Sequence, residues 1–252
     1  MGSIVAIGGG AIRTLATEPL DHEIVRLAGK SRPHALLIPT ASSDDPDYTP
    51  VFERVYGRRL GCTTDVLHLL GRRADRQAVR DKIGRADIIY VGGGNTLMMM
   101  RRWRHLGVDA LLRAAFDRGV VMCGVSAGAI CWFERGHSDS MAFYNANDWR
   151  YIAVTCLGFV KGIACPHYNS HTNGVPRRED FHQMLKRVRQ PGLAIDNNCA
   201  VAFTDGGFRV LSTRCRANAY ALSVERGEIT QRKLPKSTHY MPVESLHMRR
   251  HR

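Results

Sequence analysis

The stretch Val120-Val121-Met122-Cys123-Gly124-Val125-Ser126-Ala127-Gly128-Ala129-Ile130-Cys131-Trp132 constrains the fold more than any other. An apolar run enters, a G-x-S-x-G segment turns, and a second apolar run led by small residues leaves. That order reads as a buried strand, a sharp turn and a helix start. It is the nucleophile-elbow pattern, in which a strained turn lifts a serine hydroxyl off the end of a sheet. Gly124 and Gly128 fit, because so tight a turn leaves no room for a Cβ on either side. A helix starting at Ala127 would offer free N–H groups and a positive dipole end to a developing oxyanion. The pentapeptide alone is short and common, and an ordinary strand-to-helix turn would also carry it.

The rest of the chain supplies the context. Ile4–Ile7 is a short apolar strand closed by Gly8-Gly9-Gly10. The sequence after it is G-G-G-A-I-R, not the G-x-G-x-x-G of a dinucleotide loop, so that reading carries little weight. Asp21 to Gly29 has helical spacing, with Asp21 as the expected N-cap and Gly29 as the stop. Ala35–Ile38 is a second strand, stopped by Pro39-Thr40-Ala41-Ser42-Ser43. Residues 48–60 read as helix, 64–70 as a third strand and 76–84 as a helix. Asp87–Val91 is a buried strand followed by Gly92-Gly93-Gly94-Asn95-Thr96, then helices over 97–104 and 108–118. Strands alternating with helices predict a single-domain α/β fold built on a doubly wound, mostly parallel sheet. In such sheets ligands bind beyond the C-terminal ends of the strands. Gly92–Thr96 and Gly124–Gly128 both lie at such ends. Two glycine-rich strand ends side by side meet the need of an oxyanion hole for two converging N–H groups.

Beyond the elbow the pattern loosens. Residues 134–150 read as a polar loop or hairpin, 177–189 as a helix, and Leu193–Asp196 with Ala200–Phe203 as a turn-linked pair of strands around Asn197-Asn198. No linker or repeat divides the chain. The expectation is one domain over residues 1–232 and a basic tail over 233–252, ending in Met248-Arg249-Arg250-His251-Arg252.

The net charge of +13 comes mostly from arginines spread along the length. Spread arginine is usually a solvated surface, and no basic run is interleaved with aromatics, so nucleic acid is not expected as a partner. The seven cysteines are odd in number, lack C-x-x-C spacing and mostly sit in apolar runs, the usage of a reducing compartment. No apolar run reaches the ~18 residues that a membrane span needs, and the first ten residues resemble a strand more than a signal peptide. A cytoplasmic protein without a membrane partner is expected, and a homodimer is compatible with the reading.

A serine nucleophile needs a base within hydrogen-bond reach and a group to orient that base. His137, His167 and His171 are the loop histidines downstream of Ser126. His167 is best placed, after an apolar strand and behind Pro166. The i, i+4 spacing of His167 and His171 would suit a metal only on a helix, which Pro166, Gly174 and Pro176 oppose. No metal and no organic cofactor is expected.

The residues now assembled resemble peptidase family S51, which includes dipeptidase E (aspartyl dipeptidase) and, more distantly, cyanophycinase. The matching segments are Pro39–Ser42 (P-T-A-S), Val91–Thr96 (V-G-G-G-N-T), Gly124–Ala129 (G-x-S-A-G-A) and Pro166–Asn169 (P-H-Y-N). The resemblance implies a fold like that of the class I glutamine amidotransferases, related to flavodoxin-like sheets, with serine in place of their cysteine. It implies Ser126 as nucleophile, His167 as base, Gly94 and Ala127 as oxyanion donors and Asn95 in the site. In dipeptidase E the third member is a glutamate whose matching position here holds Asn197. Asp196, one residue earlier, is the first replacement expected and Asp139 the second. The arginine that grips an N-terminal aspartate matches Arg178, with Arg177 behind it. The implied activity is serine-type hydrolysis of short peptides, with dipeptides bearing N-terminal Asp as the expected substrates. A cyanophycinase-like hydrolase of β-linked Asp-Arg and a non-catalytic binder of small ligands are the alternatives.

Overall fold

A computed structural model describes residues 1–71 and 75–246. The described residues form two large sheets and one two-stranded pair, and the second large sheet was not expected. The first has the strand order β16-β13-β12-β1-β5-β4-β2-β3. Its parallel part is β1 (Ile4–Ile7), β5 (Val121–Val125), β4 (Ile88–Val91), β2 (His34–Ile38) and β3 (Thr63–Val66). Antiparallel β12 (Cys199–Thr204), β13 (Gly207–Ser212) and β16 (Met241–Pro242) extend it beyond β1. The second has the order β15-β14-β11-β8-β6-β7. Its parallel centre is β6 (Phe133–Ser138), β8 (Val160–Cys165) and β11 (Gly192–Ile195), flanked by β7 (Ile152–Thr155), β14 (Ala219–Glu225) and β15 (Glu228–Lys233). A short hairpin of β9 (His171–Thr172) and β10 (Val175–Pro176) follows the second sheet's central strand.

Successive side chains on a strand face opposite ways, and β1 is buried on both sides. Val5 and Ile7 join a core with Leu20 and Ile24 of α1 (Glu18–Leu27) and Phe52 of α2 (Tyr48–Phe52). Ile4 and Ala6 join the larger core on the other face. There α3 (Arg76–Arg85), α4 (Thr96–Leu106) and α5 (Val108–Asp117) cover strands β2 to β5, and the second sheet covers the rest through Ala164, Leu193 and Ile195. The outer face of the second sheet is closed by Phe181, Met184 and Leu185 of α7 (Arg177–Val188). The doubly wound α/β expectation therefore holds for the parallel centre, with antiparallel strands added at the edges.

Residues 134–150, expected as a loop or hairpin, form the hairpin: β6 takes Phe133–Ser138 and pairs antiparallel with β7, and the Glu134 carboxylate accepts from the Gly162 N–H at 2.8 Å. Four other expectations are corrected. The strands around Asn197-Asn198 do not pair with each other, because the chain crosses there from the second sheet to the first. The helix over residues 48–60 changes from α2 to a π-helix over Glu53–Arg59. Asp21 is not a cap. The helix starts at Glu18, and Asp21 lies inside it, fully buried, accepting from Thr17 Oγ1 at 2.8 Å and Tyr56 Oη at 2.9 Å. The segment expected to detach at residue 233 stays on the domain: Leu234 is fully buried and Val243 N–H donates to Gly206 O at 2.7 Å. The basic cluster Met248–Arg252 lies outside the described residues. No described helix is long and apolar enough to cross a membrane.

Candidate active site

Strand β5 ends at Val125, and Ser126 takes φ 58° and ψ −112°. A positive φ at a residue with a Cβ is strained, and strain at such a turn marks a nucleophile elbow. The glycines on either side are required by crowding. A Cβ on Gly124 would overlap the carbonyls of Val91 and Gly128, and one on Gly128 would overlap the Val91 carbonyl. The helix after Ser126 is shorter than expected, only Ala127–Ile130 (α6), before the chain turns into β6. A single turn has little macrodipole, so any help to an oxyanion comes from the local Ala127 N–H.

The Gly92–Gly94 loop leaves the neighbouring strand β4 and faces the serine. A Cβ on Gly93 would stand 3.3 Å from Ser126 Cβ and 3.8 Å from Oγ. Gly94 has φ 134° and lies so close to the Ala41 carbonyl that only glycine fits. Asn95 N–H donates to that same carbonyl at 2.7 Å. The P-T-A-S stretch thus serves as a brace for the loop. Thr40 adds to it by accepting from the buried Trp103 indole at 3.2 Å. Asn95 is buried, and its Oδ1 accepts from Met98 N–H at 3.0 Å, so that oxygen caps α4.

His167 follows β8 of the second sheet, yet it is tied to the first. Three successive carbonyls at the end of β1 each receive one N–H from this region. Ser126 donates to Ile7 at 3.1 Å, His167 to Gly8 at 2.9 Å and Asn198 to Gly9 at 2.7 Å. Ser126, His167 and Asn198 all have positive φ, between 50° and 62°. The Gly8-Gly9-Gly10 turn is therefore the hub of the site. In the sequence it reads as a strand end with a weak nucleotide signal. The signal that could have found it is the run of three glycines, longer than a turn needs.

The imidazole of His167 meets Asn197: Nδ1 lies 2.6 Å from Asn197 Oδ1. Neither aspartate expected to orient it does so. Asp196 is turned to the other side, where its Oδ2 accepts from Asn218 N–H at 2.9 Å, and burial raises its pKa. Asp139 accepts from Arg177 and from Thr172 Oγ1 at 3.2 Å. The reason for the first miss is the crossing between sheets: adjacent residues on an extended chain face opposite ways, so moving one position from the glutamate-matching site loses the imidazole. Burial first, then the positive charge of Arg177, lowers the His167 pKa below the ordinary 6.5; Asn197 and Asp139 oppose this. The ring is thereby neutral, as a general base must be.

The two neighbouring arginines have different surroundings. Arg177 is buried against the site, its guanidinium on Asp139 and over the Tyr151 ring at 5.1 Å. Arg178 is exposed and stacks over the Tyr168 ring at 4.8 Å. His137, a rival base, is fully buried on β6 between Asp180 (2.9 Å) and Cys165 Sγ (3.5 Å). That set mimics a Cys-His-Asp triad, but burial drives the thiol pKa far up and leaves it no access. His171 is exposed on β9. An apolar cavity of about 410 Å³ lies at the opposite ends of the strands, around Ile4, Phe116, Phe159 and Leu193, and includes none of the site residues.

An α/β scaffold with a glycine-framed serine elbow at the C-terminal end of a parallel strand, faced by a second glycine loop, and with a neutral imidazole whose backbone is tied to the neighbouring strand end, defines a class of hydrolytic enzymes. Within that class the chain belongs to peptidase family S51, whose model matches residues 4–211. It is a peptidase, and the serine type follows from the family. It is 34% identical over 241 residues to the uncharacterized peptidase YgaJ of Bacillus subtilis strain 168, covering 93% of this chain and 98% of the relative. A solved peptidase structure from an acI-B1 actinobacterium superposes with a TM-score of 0.74 at 16% identity, covering 96% of this chain and 97% of the other. A Listeria monocytogenes EGD-e structure provisionally called a peptidase E gives a TM-score of 0.61 at 20% identity, covering 84% and 98%. At those identities the two structures speak for the fold.

Proposed function

We propose that this peptidase hydrolyses short peptides through Ser126, with His167 as the base and Asn197 as the group that orients it. The observation that carries this reading is the row of carbonyls at Ile7, Gly8 and Gly9. It ties the serine, the histidine and the neighbour of the asparagine to one rigid strand end. Ser126 Oγ attacks the peptide carbonyl while His167 Nε2 takes its proton. The Ala127 N–H and the Gly93–Gly94 loop face the developing oxyanion. His167 then returns the proton to the leaving amine, and water repeats the cycle on the acyl-enzyme. An asparagine can orient the imidazole as a carboxylate does, but it lends no charge to the imidazolium.

The finer reading is a preference for an N-terminal aspartate, held by Arg178. Arg177 is already matched to Asp139, whereas the Arg178 guanidinium lies exposed over Tyr168, the residue after the base. Arginine suits a carboxylate because its planar fork can donate twice.

Two measurements test these readings. A serine-directed fluorophosphonate should label the wild type and leave Ser126→Ala unlabelled; labelling that survives the substitution refutes the nucleophile. kcat/KM for Asp-Leu and Ala-Leu should then be compared in wild type and Arg178→Ala. Arg178 is exposed, and an exposed ion pair contributes about 0.2–1 kcal/mol, so Asp-Leu should fall by up to about fivefold while Ala-Leu changes little. An equal change in both peptides removes the case for an aspartate clamp.

A further inference from the structure

Strands β8 and β11 run parallel, and their last paired residues are Cys165 and Ala194. Beyond them one chain leads to His167 and the other to Asn197. Tyr168 N–H still reaches Ile195 O at 3.2 Å. At His167, where φ is 50°, the chain bends, and Ser170 N–H closes a turn onto His167 O at 2.9 Å. The backbone of residues 167–170 therefore folds back instead of continuing alongside residues 195–198. The acceptor for the Asn197 N–H comes from a side chain in that turn: Asn169 Oδ1 accepts from it at 3.0 Å. A peptide N–H can only donate, so this contact has one reading, with the carbonyl end of the Asn169 amide toward the Asn197 backbone.

Asn197 sits where the chain crosses from the second sheet to the first. Its neighbours are held there by backbone carbonyls: Asp196 N–H donates to Asn218 O at 3.0 Å and Asn198 N–H to Gly9 O at 2.7 Å. Only the Asn197 N–H, of these three, is held by a side chain, and that side chain belongs to the turn that starts at the base. The base and its orienting group are joined twice, once through His167 Nδ1 and Asn197 Oδ1 at 2.6 Å and once through Asn169. Asparagine side chains readily stand in for a backbone group at turns. Asn169 is exposed, so water could take over as acceptor. A water molecule is not attached to the turn, however, and cannot keep Asn197 at a set distance from it.

We propose that Asn169 is a positioning residue: its side-chain carbonyl ties the Asn197 backbone to the turn that carries His167, and so keeps the Asn197 side chain against the imidazole. The proposal rests on the reading of His167 as a general base oriented by Asn197. Asn169→Ala removes the tie and leaves the Asn197 N–H to water. Asn169→Asp keeps an oxygen acceptor at the same reach, with its added charge exposed to solvent. Asn197→Ala removes the group through which Asn169 acts, so in that background the loss of Asn169 has nothing left to misplace.

The experiment combines dipeptide kinetics on the full chain with ¹⁵N-histidine NMR of the His167 ring. The variants are Asn169→Ala, Asn169→Asp, Asn197→Ala and the Asn169→Ala/Asn197→Ala double. A displacement of about 1 Å in a catalytic group costs on the order of 10²-fold. Asn169→Ala, which loosens the orienting group without removing it, should lower kcat by about tenfold with KM within about twofold. It should also shift the His167 ring resonances toward those of Asn197→Ala. Asn169→Asp should recover both the rate and the resonances. Adding Asn169→Ala to Asn197→Ala should change kcat less than about twofold, since coupled residues are non-additive. Wild-type kcat and ring resonances in Asn169→Ala overturn the proposal. An equal fall in kcat with and without Asn197 also overturns it, because Asn169 would then act on the fold or the substrate. If Asn169→Ala does not fold, Asn169→Gln, which moves the acceptor by one methylene, takes its place with the same outcomes. If the wild type cleaves no peptide, the reading of the function fails, while the ring resonances still decide whether Asn169 holds Asn197 on the imidazole.

Discussion

Gly9→Ala offers a direct test of the hub. Gly9 is not among the residues at positive φ, so alanine can adopt its backbone without strain. The obstacle is spatial. The new Cβ would overlap Asn197 Oδ1 and Nδ1 of His167, and would stand 2.6 Å from His167 Cε1. These are the ends of side chains, so they yield before the backbone does, and what yields is the orienting pair. A misplacement of about 1 Å in a catalytic group costs on the order of 10²-fold, and full loss of the right tautomer about 10⁴-fold. kcat/KM on a cleaved dipeptide should therefore fall by about 10² to 10⁴. Overpacking costs roughly 1–3 kcal/mol. At about 2–4 °C per kcal/mol for a chain of this size, Tm should drop by about 2–12 °C, with a cooperative melt. Gly84→Ala is the control: it lies in α3 with nothing within 4 Å of the added methyl. It should keep full activity and gain up to ~1 kcal/mol. A Gly9→Ala enzyme with wild-type kcat/KM refutes the hub, because the pair could then not be where it is described.

The lowered His167 pKa sets the acid limb of kcat/KM: protonation removes the base, so activity falls with falling pH, and its midpoint should lie below 6.5 in a pH-rate profile. Asp196→Asn and Asp139→Asn should each change kcat less than about tenfold, far from the 10⁴-fold of a true orienting group. Asp139→Asn should nonetheless lower stability in a denaturant titration by about 3–5 kcal/mol, since it leaves buried Arg177 without its partner. The buried Asp21 carboxyl has its pKa raised to about 7, chiefly by burial. The folded state then binds more protons than the unfolded one between about pH 4 and pH 7, so this group's stability is present at low pH and is lost as pH rises through 7. At about 1.4 kcal/mol per pH unit, the change is on the order of 4 kcal/mol. Asp21→Asn should flatten that part of the stability profile, and an unchanged slope would show the carboxyl to be ionised throughout.

Much of the scaffold was legible along the chain. Four of the five parallel strands of the first sheet are short, largely apolar runs, β3 (Thr63–Val66) being the polar exception, and three of them close in a segment whose residues declare a turn: Gly8–Gly10, Gly92–Gly94 and Gly124–Gly128. The serine was legible for the same reason, since an elbow is made by five consecutive residues and its glycines are forced by contacts within reach of the turn. His167 followed from a strand, a proline and the lack of a better placed loop histidine. These are local features, and local sequence determines them.

What the tertiary structure decided is how distant pieces face one another. Nothing in residues 193–203 taken alone says that two adjacent strands enter different sheets, and that crossing is what brings Asn197 rather than Asp196 to the imidazole. Asp139 and Arg177 each resembled a site group, yet they pair with each other across 38 positions. Gly9 looked like the end of a strand until His167 and Asn197, more than 150 residues later, were found packed against it. The alternation of a strand tells which residues share a face, but the identity of the neighbour on that face is set by chain crossings and by which buried polar group is already satisfied.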